Sequence, residues 1–192
     1  MKKIPKKNEL RFNIRNPQEV ARRVKTLIGV FQSATGRKKE EVIKIFKDKG
    51  LWSEVSENEK NFLLSPEEDS RFIALQLGWR AEAVYILLWA LNYFNFSELP
   101  KDETNLDKIK ELLKADDFYS KIDSDNVQLR DPEEIRDMFE RVYKINWELR
   151  DAQINDKELP AGYHPSIIYE WHYALEWVIK ENEEWDYIAV DT

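Results

Sequence analysis

Apolar positions along the chain recur mostly at helical spacing. Asn16 and Pro17 read as N-cap and first helical residue. Val20, Val24, Leu27, Ile28 and Phe31 follow with a helical period, and Gly36 supplies a stop. A second pattern, from about 38 to 49, turns Val42, Ile45 and Phe46 inward and ends at Gly50. Ser56 with Glu59 makes a capping box for a short helix closing near Leu64. Ser65, Pro66 and Glu68 repeat the start signal and open a long segment that runs to about Tyr93. Gly78 is where that segment divides, because an interior glycine costs about 1 kcal/mol relative to alanine. Its second half, residues 81–91, is apolar on every side, the mark of a helix surrounded by others.

Residues 106–114 predict a shorter helix. Asp131, Pro132 and Glu134 form another capped start, followed by one inward stripe of Ile135, Met138, Phe139, Val142, Asn146 and Leu149. Pro165 opens the last helix, with Ile168, Trp171, Leu175 and Val178 inward. Residues 185–192 alternate weakly and read as a short strand or an extended, docked segment. No repeat, low-complexity tract or linker interrupts the pattern. The expectation is an all-α fold: an irregular bundle of about six to eight helices around 81–91, as one domain over 16–192 behind a basic arm, 1–15.

Composition narrows the chemistry. A chain of 192 residues buries a core without staples. The absence of cysteine excludes disulfides, thiolate catalysis and cysteine-based zinc sites, and it suits a reducing compartment. The basic arm has no apolar stretch of the kind a secretory signal needs. The longest strictly apolar run, residues 83–91, falls short of the about 20 that a membrane span requires. The expectation is a cytoplasmic protein with no membrane partner. Net charge is −7; the arm contributes six Lys/Arg and one Glu, or +5, which leaves −7 − 5 = −12 for the remainder. So acidic a body repels phosphate backbones, so no nucleic-acid partner is expected. With five glycines and no glycine-rich motif, no loop is built to cradle phosphates, and no cofactor is expected.

Candidate catalytic residues are few. His164 and His172 are the only histidines, and eight helical residues would set them about 12 Å apart, too far to share a metal ion. The acidic loop at Asp123 and Asp125 lacks the glycine and closing glutamate of a calcium loop, so no metal site is expected. His172 is the one candidate general base, with Asp151 or Glu170 as its carboxylate. Glu176, one turn on, is its natural helical neighbour. Acidic first turns such as Glu67, Glu68, Asp69, Glu133 and Glu134 are explained by the helix dipole.

Charges embedded beside apolar surface are the least ordinary feature. Arg80 and Glu82 open the central helix, Arg150 and Asp151 close a strongly striped one, and Glu170 interrupts the last. An unpaired charge at buried surface is costly. The five are therefore expected to meet, Arg80 with Asp151 and Glu82 with Arg150, with Glu170 near either arginine. Trp147, Trp171, Trp177 and Trp185 are candidate ligand or partner aromatics, although helical spacing also suits core. Trp79 and Trp89 read as core.

Several of these segments resemble one family. They are Gly50-Leu51-Trp52 with Ser56 and Glu59; Trp79-Arg80-Ala81-Glu82-Ala83 leading into Leu87-Leu88-Trp89-Ala90-Leu91; Pro100; Arg130 with Glu134-Ile135; and Trp147 with Arg150-Asp151-Ala152. Glu170, His172, Ala174-Leu175, Trp177, Trp185-Asp186 and Asp191-Thr192 complete the set. Together, over about residues 16–192, they resemble a bacterial family known as domain of unknown function 4272. That family's usual Glu-Arg-His in the last helix is here Glu170-Trp171-His172, so no role for an arginine carries over. The resemblance implies no known activity. The expected function is a non-catalytic protein-binding or interaction module, immunity-type or regulatory. The rival is a hydrolase-type enzyme using His172 with Asp151 or Glu170.

Overall fold

The computed structural model describes residues 13–96, 98–115 and 117–190. The fold is all-α: α1 (Pro17–Ala34), α2 (Lys39–Asp48), α3 (Glu57–Leu64), α4 (Glu67–Gly78), α5 (Arg80–Ala90), α6 (Leu106–Lys114), the five-residue α7 (Phe118–Ile122), α8 (Pro132–Ile154) and α9 (Pro165–Ile179). Single 3-10 turns lie at Trp52–Glu54 and Trp185–Tyr187.

Local chemistry sets most of these boundaries. The Asn16 side chain accepts from Glu19 N at 2.9 Å and Asp131 from Glu133 N at 2.8 Å, each satisfying a donor that a helix start leaves unpaired. Ser56 and Glu59 form the reciprocal capping box. Ser65 behaves otherwise than expected. Its hydroxyl donates to Phe62 O at 2.9 Å, so it closes α3, and α4 starts without a side-chain cap. The long segment divides just past Gly78, at Trp79.

Two helices share the centre rather than one. α5 is buried all round, with Ala83, Val84, Ile86, Leu87 and Leu88 at 1% exposure or less. In α9 every residue from 167 to 179 except Tyr169 is also buried. α5 packs on α1 and α9, and α8 lies along α9. A smaller cluster of Val30, Val42, Phe46, Leu51, Phe62, Leu63 and Leu77 joins α1 to α4. Gly29 permits this closeness, since a Cβ there would stand 2.4 Å from Phe46 Cζ. Ile45, expected inward, is 37% exposed, and Trp79 is only half-buried, whereas Trp89 is core. Among the described residues, Glu67–Ala90 is the one helical stretch with the length and composition to cross a membrane. It is interrupted at Trp79, and half of its apolar window is buried inside the fold.

The chain ends are drawn onto α9. Asn13 N donates to Ile179 O at 3.0 Å, Arg15 N to Val178 O at 2.9 Å, and Glu181 N to Asn13 O at 2.9 Å. Asn13 to Arg15 thus belong to the packed fold, while residues 1–12 of the expected basic arm lie outside the described residues. The Arg15 side chain donates to the carbonyls of Trp177, Lys180 and Glu183, carbonyls a helix end leaves free, and lies 4.1 Å over the Trp177 ring. The C-terminal segment docks as a 3-10 turn rather than a strand, with Trp185 buried. Asp191 and Thr192 lie outside the described residues.

Candidate functional site

Arg80, the first residue of α5, meets Glu170 of α9 across 90 positions, Nη1 to Oε2 at 2.8 Å. This is one of the two meetings expected for Glu170. The other expected pairs do not form. Glu82 is buried and accepts from Thr104 N at 2.6 Å, the Thr104 hydroxyl at 2.5 Å and Trp171 Nε1 at 3.2 Å. The chain between α5 and α6 brings the two Thr104 donors over the carboxylate and α9 brings the Trp171 indole, so it needs no arginine. Asp151 turns to its local neighbours Asn155 and Lys157, at 2.8 and 2.7 Å. Arg150 stays exposed, with no ion-pair partner among the described residues.

The Arg80–Glu170 pair sits over a polar-aromatic layer. The Arg80 guanidinium lies 4.9 Å from the Tyr173 ring centre and 5.5 Å from that of Trp185. Arg23 lies 4.3 Å from the same Trp185 ring and is paired with Glu59. The Tyr173 hydroxyl donates to Trp185 O, and Asp186 accepts from Asn58 N at 2.8 Å, close to the start of α3. Burial pushes the Glu170 carboxyl above its ordinary pKa against the pull of Arg80, and burial also pushes the Tyr173 hydroxyl up. Burial pulls the Arg80 pKa down, but Glu170, Tyr173 and Glu59 together outweigh it and raise it, so the guanidinium stays charged.

Above this pair lies a groove of about 700 Å³ between α3–α4 on one side and α8–α9 on the other. Arg80, Glu170, Leu77 and Leu149 are part of its lining. Trp79 and Tyr169 add aromatic surface, Trp79 stacked on His164 at 5.3 Å between ring centres. Asn58, Asn61, Gln76 and Gln153 bring carboxamides, and Arg150 brings a second cation. The same two helices, α3 and α4, leave large apolar side chains open: Leu64, Phe72 and Leu75 are 65%, 71% and 74% exposed.

His172 is elsewhere in the packing. It is fully buried, tilted against the Phe139 ring and edge-on to that of Tyr143. Asn146 Nδ2 is 2.8 Å from its Nδ1, and Glu176 Oε2 approaches its Nε2 at 3.0 Å, off the direction of a well-formed hydrogen bond. Glu176 in turn meets Lys180 at 2.9 Å. Burial raises the Glu176 carboxyl, but the contacts from His172 and Lys180 outweigh it and hold its pKa below the ordinary value. The expected alternatives of His172 with Asp151 or Glu170 are not assembled. Asp151 holds Lys157, Glu170 holds Arg80, and the imidazole is sealed from solvent. Such a histidine ties α8 to α9.

The model of the family described as Domain of unknown function (DUF4272) matches residues 2–188. The chain belongs to this family. No curated protein and no solved structure matches it. In this DUF4272 chain, the motif residues Arg80, Glu82, Glu170, Trp185 and Asp186 make the contacts of the junction. Arg130 binds α8 to the end of α5 through Trp89 O at 2.7 Å and Phe94 O at 2.6 Å, and it meets Glu134 at 3.1 Å.

Of the four candidate aromatics, Trp171, Trp177 and Trp185 are buried and Trp147 is half-buried, so none opens broadly to a ligand. Trp79 and Tyr169 line the groove instead. Arg15 and Arg23 were not legible as buried groups, because each sits in the sequence as one more cation of a basic stretch. Asn146 did carry a signal, as the one polar residue in the inward stripe of α8.

Proposed function

We propose that this DUF4272 chain is a non-catalytic protein-binding module, immunity-type or regulatory, whose docking face is the apolar surface of α3–α4 together with the adjoining groove. The observation that carries this reading is the exposure of Leu64, Phe72 and Leu75 on α3 and α4, the helices that wall one side of a groove of about 700 Å³. Exposed apolar side chains and a concave surface on the same elements mark interaction sites. The sealed setting of His172 supports binding over hydrolysis, because a general base must reach its substrate.

The test is affinity purification from the source cells with the wild-type chain and with Phe72→Glu/Leu75→Glu. Both positions are exposed, so the variant is expected to melt within about 0.5 kcal/mol of wild type. A stoichiometric partner retained by the wild type and lost by the variant supports the reading. Identical partner sets would refute it. A concentration-dependent dimer abolished by the same variant, seen by light scattering, would make the partner a second copy of this chain.

A further inference from the structure

We infer that the groove takes an extended peptide segment bearing a carboxylate, with Arg150 as the residue that reads the acid. The inference rests on the binding-module reading and names the chemistry of its ligand. Asn58, Asn61, Gln76 and Gln153 line the groove, and their side chains have no hydrogen-bond partner among the described residues. Each carboxamide offers a donor and an acceptor together. A peptide backbone presents the same alternation, whereas a purely apolar or purely anionic ligand would leave one half of each amide unmatched. Ile73, Trp79 and Tyr169 supply apolar surface for the side chains between those amides.

Charge sets the second half of the recognition. The whole chain carries −7, yet the groove lining holds two arginines against one carboxylate. Arg80 is ion-paired with Glu170 at 2.8 Å, which leaves Arg150 as the lining cation with no ion-pair partner among the described residues. An acidic group is repelled by most of this surface and attracted here, so the field selects position as well as sign. The open apolar side chains of Ile73 and Tyr169 in the lining itself favour a segment with apolar side chains, borne by a protein, over a small sugar.

The test uses three pools of fluorescein-labelled synthetic decapeptides with randomised apolar flanks and a central Glu, Gln or Lys. Binding to the full chain is followed by fluorescence polarisation, and the site is located by hydrogen exchange. The Glu pool is expected to bind about tenfold more tightly than the Lys pool, with protection on α4, α8 and the start of α9. Arg150→Glu should abolish the preference and Arg150→Lys should keep most of it. Arg150 is exposed, and a melt of each variant confirms that the fold is intact. Equal binding by all pools, or a preference unmoved by Arg150→Glu, would overturn the inference. If that charge-blind binding still maps to the groove and is lost in Phe72→Glu/Leu75→Glu, the ligand class is wrong and the binding reading stands. Protection elsewhere defeats both. Groove-specific protection by a panel of disaccharides, with no peptide pool bound, also overturns the inference.

Discussion

Trp185 holds the C-terminal segment to the body, and replacing it by alanine tests how. The side chain is 4% exposed, set edge-on to Tyr173 and Trp177 at 4.9 and 5.4 Å between ring centres. Its ring also receives the guanidinium of Arg23 at 4.3 Å and that of Arg80 at 5.5 Å. Removing a buried aromatic costs about 3–5 kcal/mol from lost burial and the cavity left behind. Stripping the ring from beneath desolvated guanidinium groups adds roughly 1 kcal/mol. Trp185→Ala is therefore expected to cost about 4–6 kcal/mol. Trp185→Phe should behave differently. The indole Nε1 is buried without a hydrogen-bond partner, so phenylalanine keeps an aromatic ring and removes an unsatisfied donor. That gain offsets much of the lost volume, and the net cost should stay near 1 kcal/mol. Urea unfolding followed by far-UV circular dichroism measures both. With a slope of about 2 kcal/mol per molar urea, alanine should move the midpoint by about 2–3 M and phenylalanine by about 0.5 M. An alanine variant within about 1 kcal/mol of wild type would refute the docking argument. A phenylalanine variant as costly as alanine would refute the unsatisfied indole.

Three further outcomes follow from the same geometry. Arg80→Met should lose about 3 kcal/mol by stranding Glu170, and Arg80→Met/Glu170→Met should recover much of it, measured by thermal melts of the single and double variants. Glu176 has its folded pKa below the ordinary 4.5, so its stabilisation is complete above about 4.5 and is lost as pH falls through the folded value. Glu176→Gln should accordingly give a shallower acid limb in stability against pH between about 5 and 3; an unchanged limb would count against the contacts from His172 and Lys180. Gly29→Ala would place a methyl group 2.4 Å from the Phe46 ring, and about 1–3 kcal/mol of destabilisation is expected in the same urea assay.

Elements whose signals are local were legible in the sequence. Asn16-Pro17, Ser56 with Glu59 and Asp131-Pro132 each cap their helices because a short polar side chain needs only the next turn to act. The unbroken apolar run of α5 declared its central place for the same reason. What escaped was decided by chain distant in sequence. Glu82 was assigned an arginine, but Thr104 returns over it with two neutral donors. Arg23 reads as a solvated cation on α1 until Glu59 and the Trp185 ring, 36 and 162 positions away, are packed around it. Ser65 and Ile45 show a finer limit: pattern alone does not say which neighbour a helix end or an edge position finds. In the candidate site, the meeting of Arg80 with Glu170 was foreseen, while the amide-lined groove above it was not, since exposed Asn and Gln carry no signal of their own.

The contact of Arg15 with the carbonyls after α9 has a consequence for biosynthesis. The first of those carbonyls stands 162 positions further along the chain. On the ribosome, α1 emerges early and can settle on α5 as soon as that helix is made. The guanidinium of Arg15 must wait, hydrated, for the carbonyls of Trp177, Lys180 and Glu183, and Arg23 for the Trp185 ring. A nascent chain arrested short of residue 177 would thus present Arg15 without its carbonyls and Arg23 held by Glu59 but uncovered by the Trp185 ring, a half-docked species with apolar surface open to chaperones and proteases. Residues 177–185 close over the two arginines only after α1 and α5 have been made.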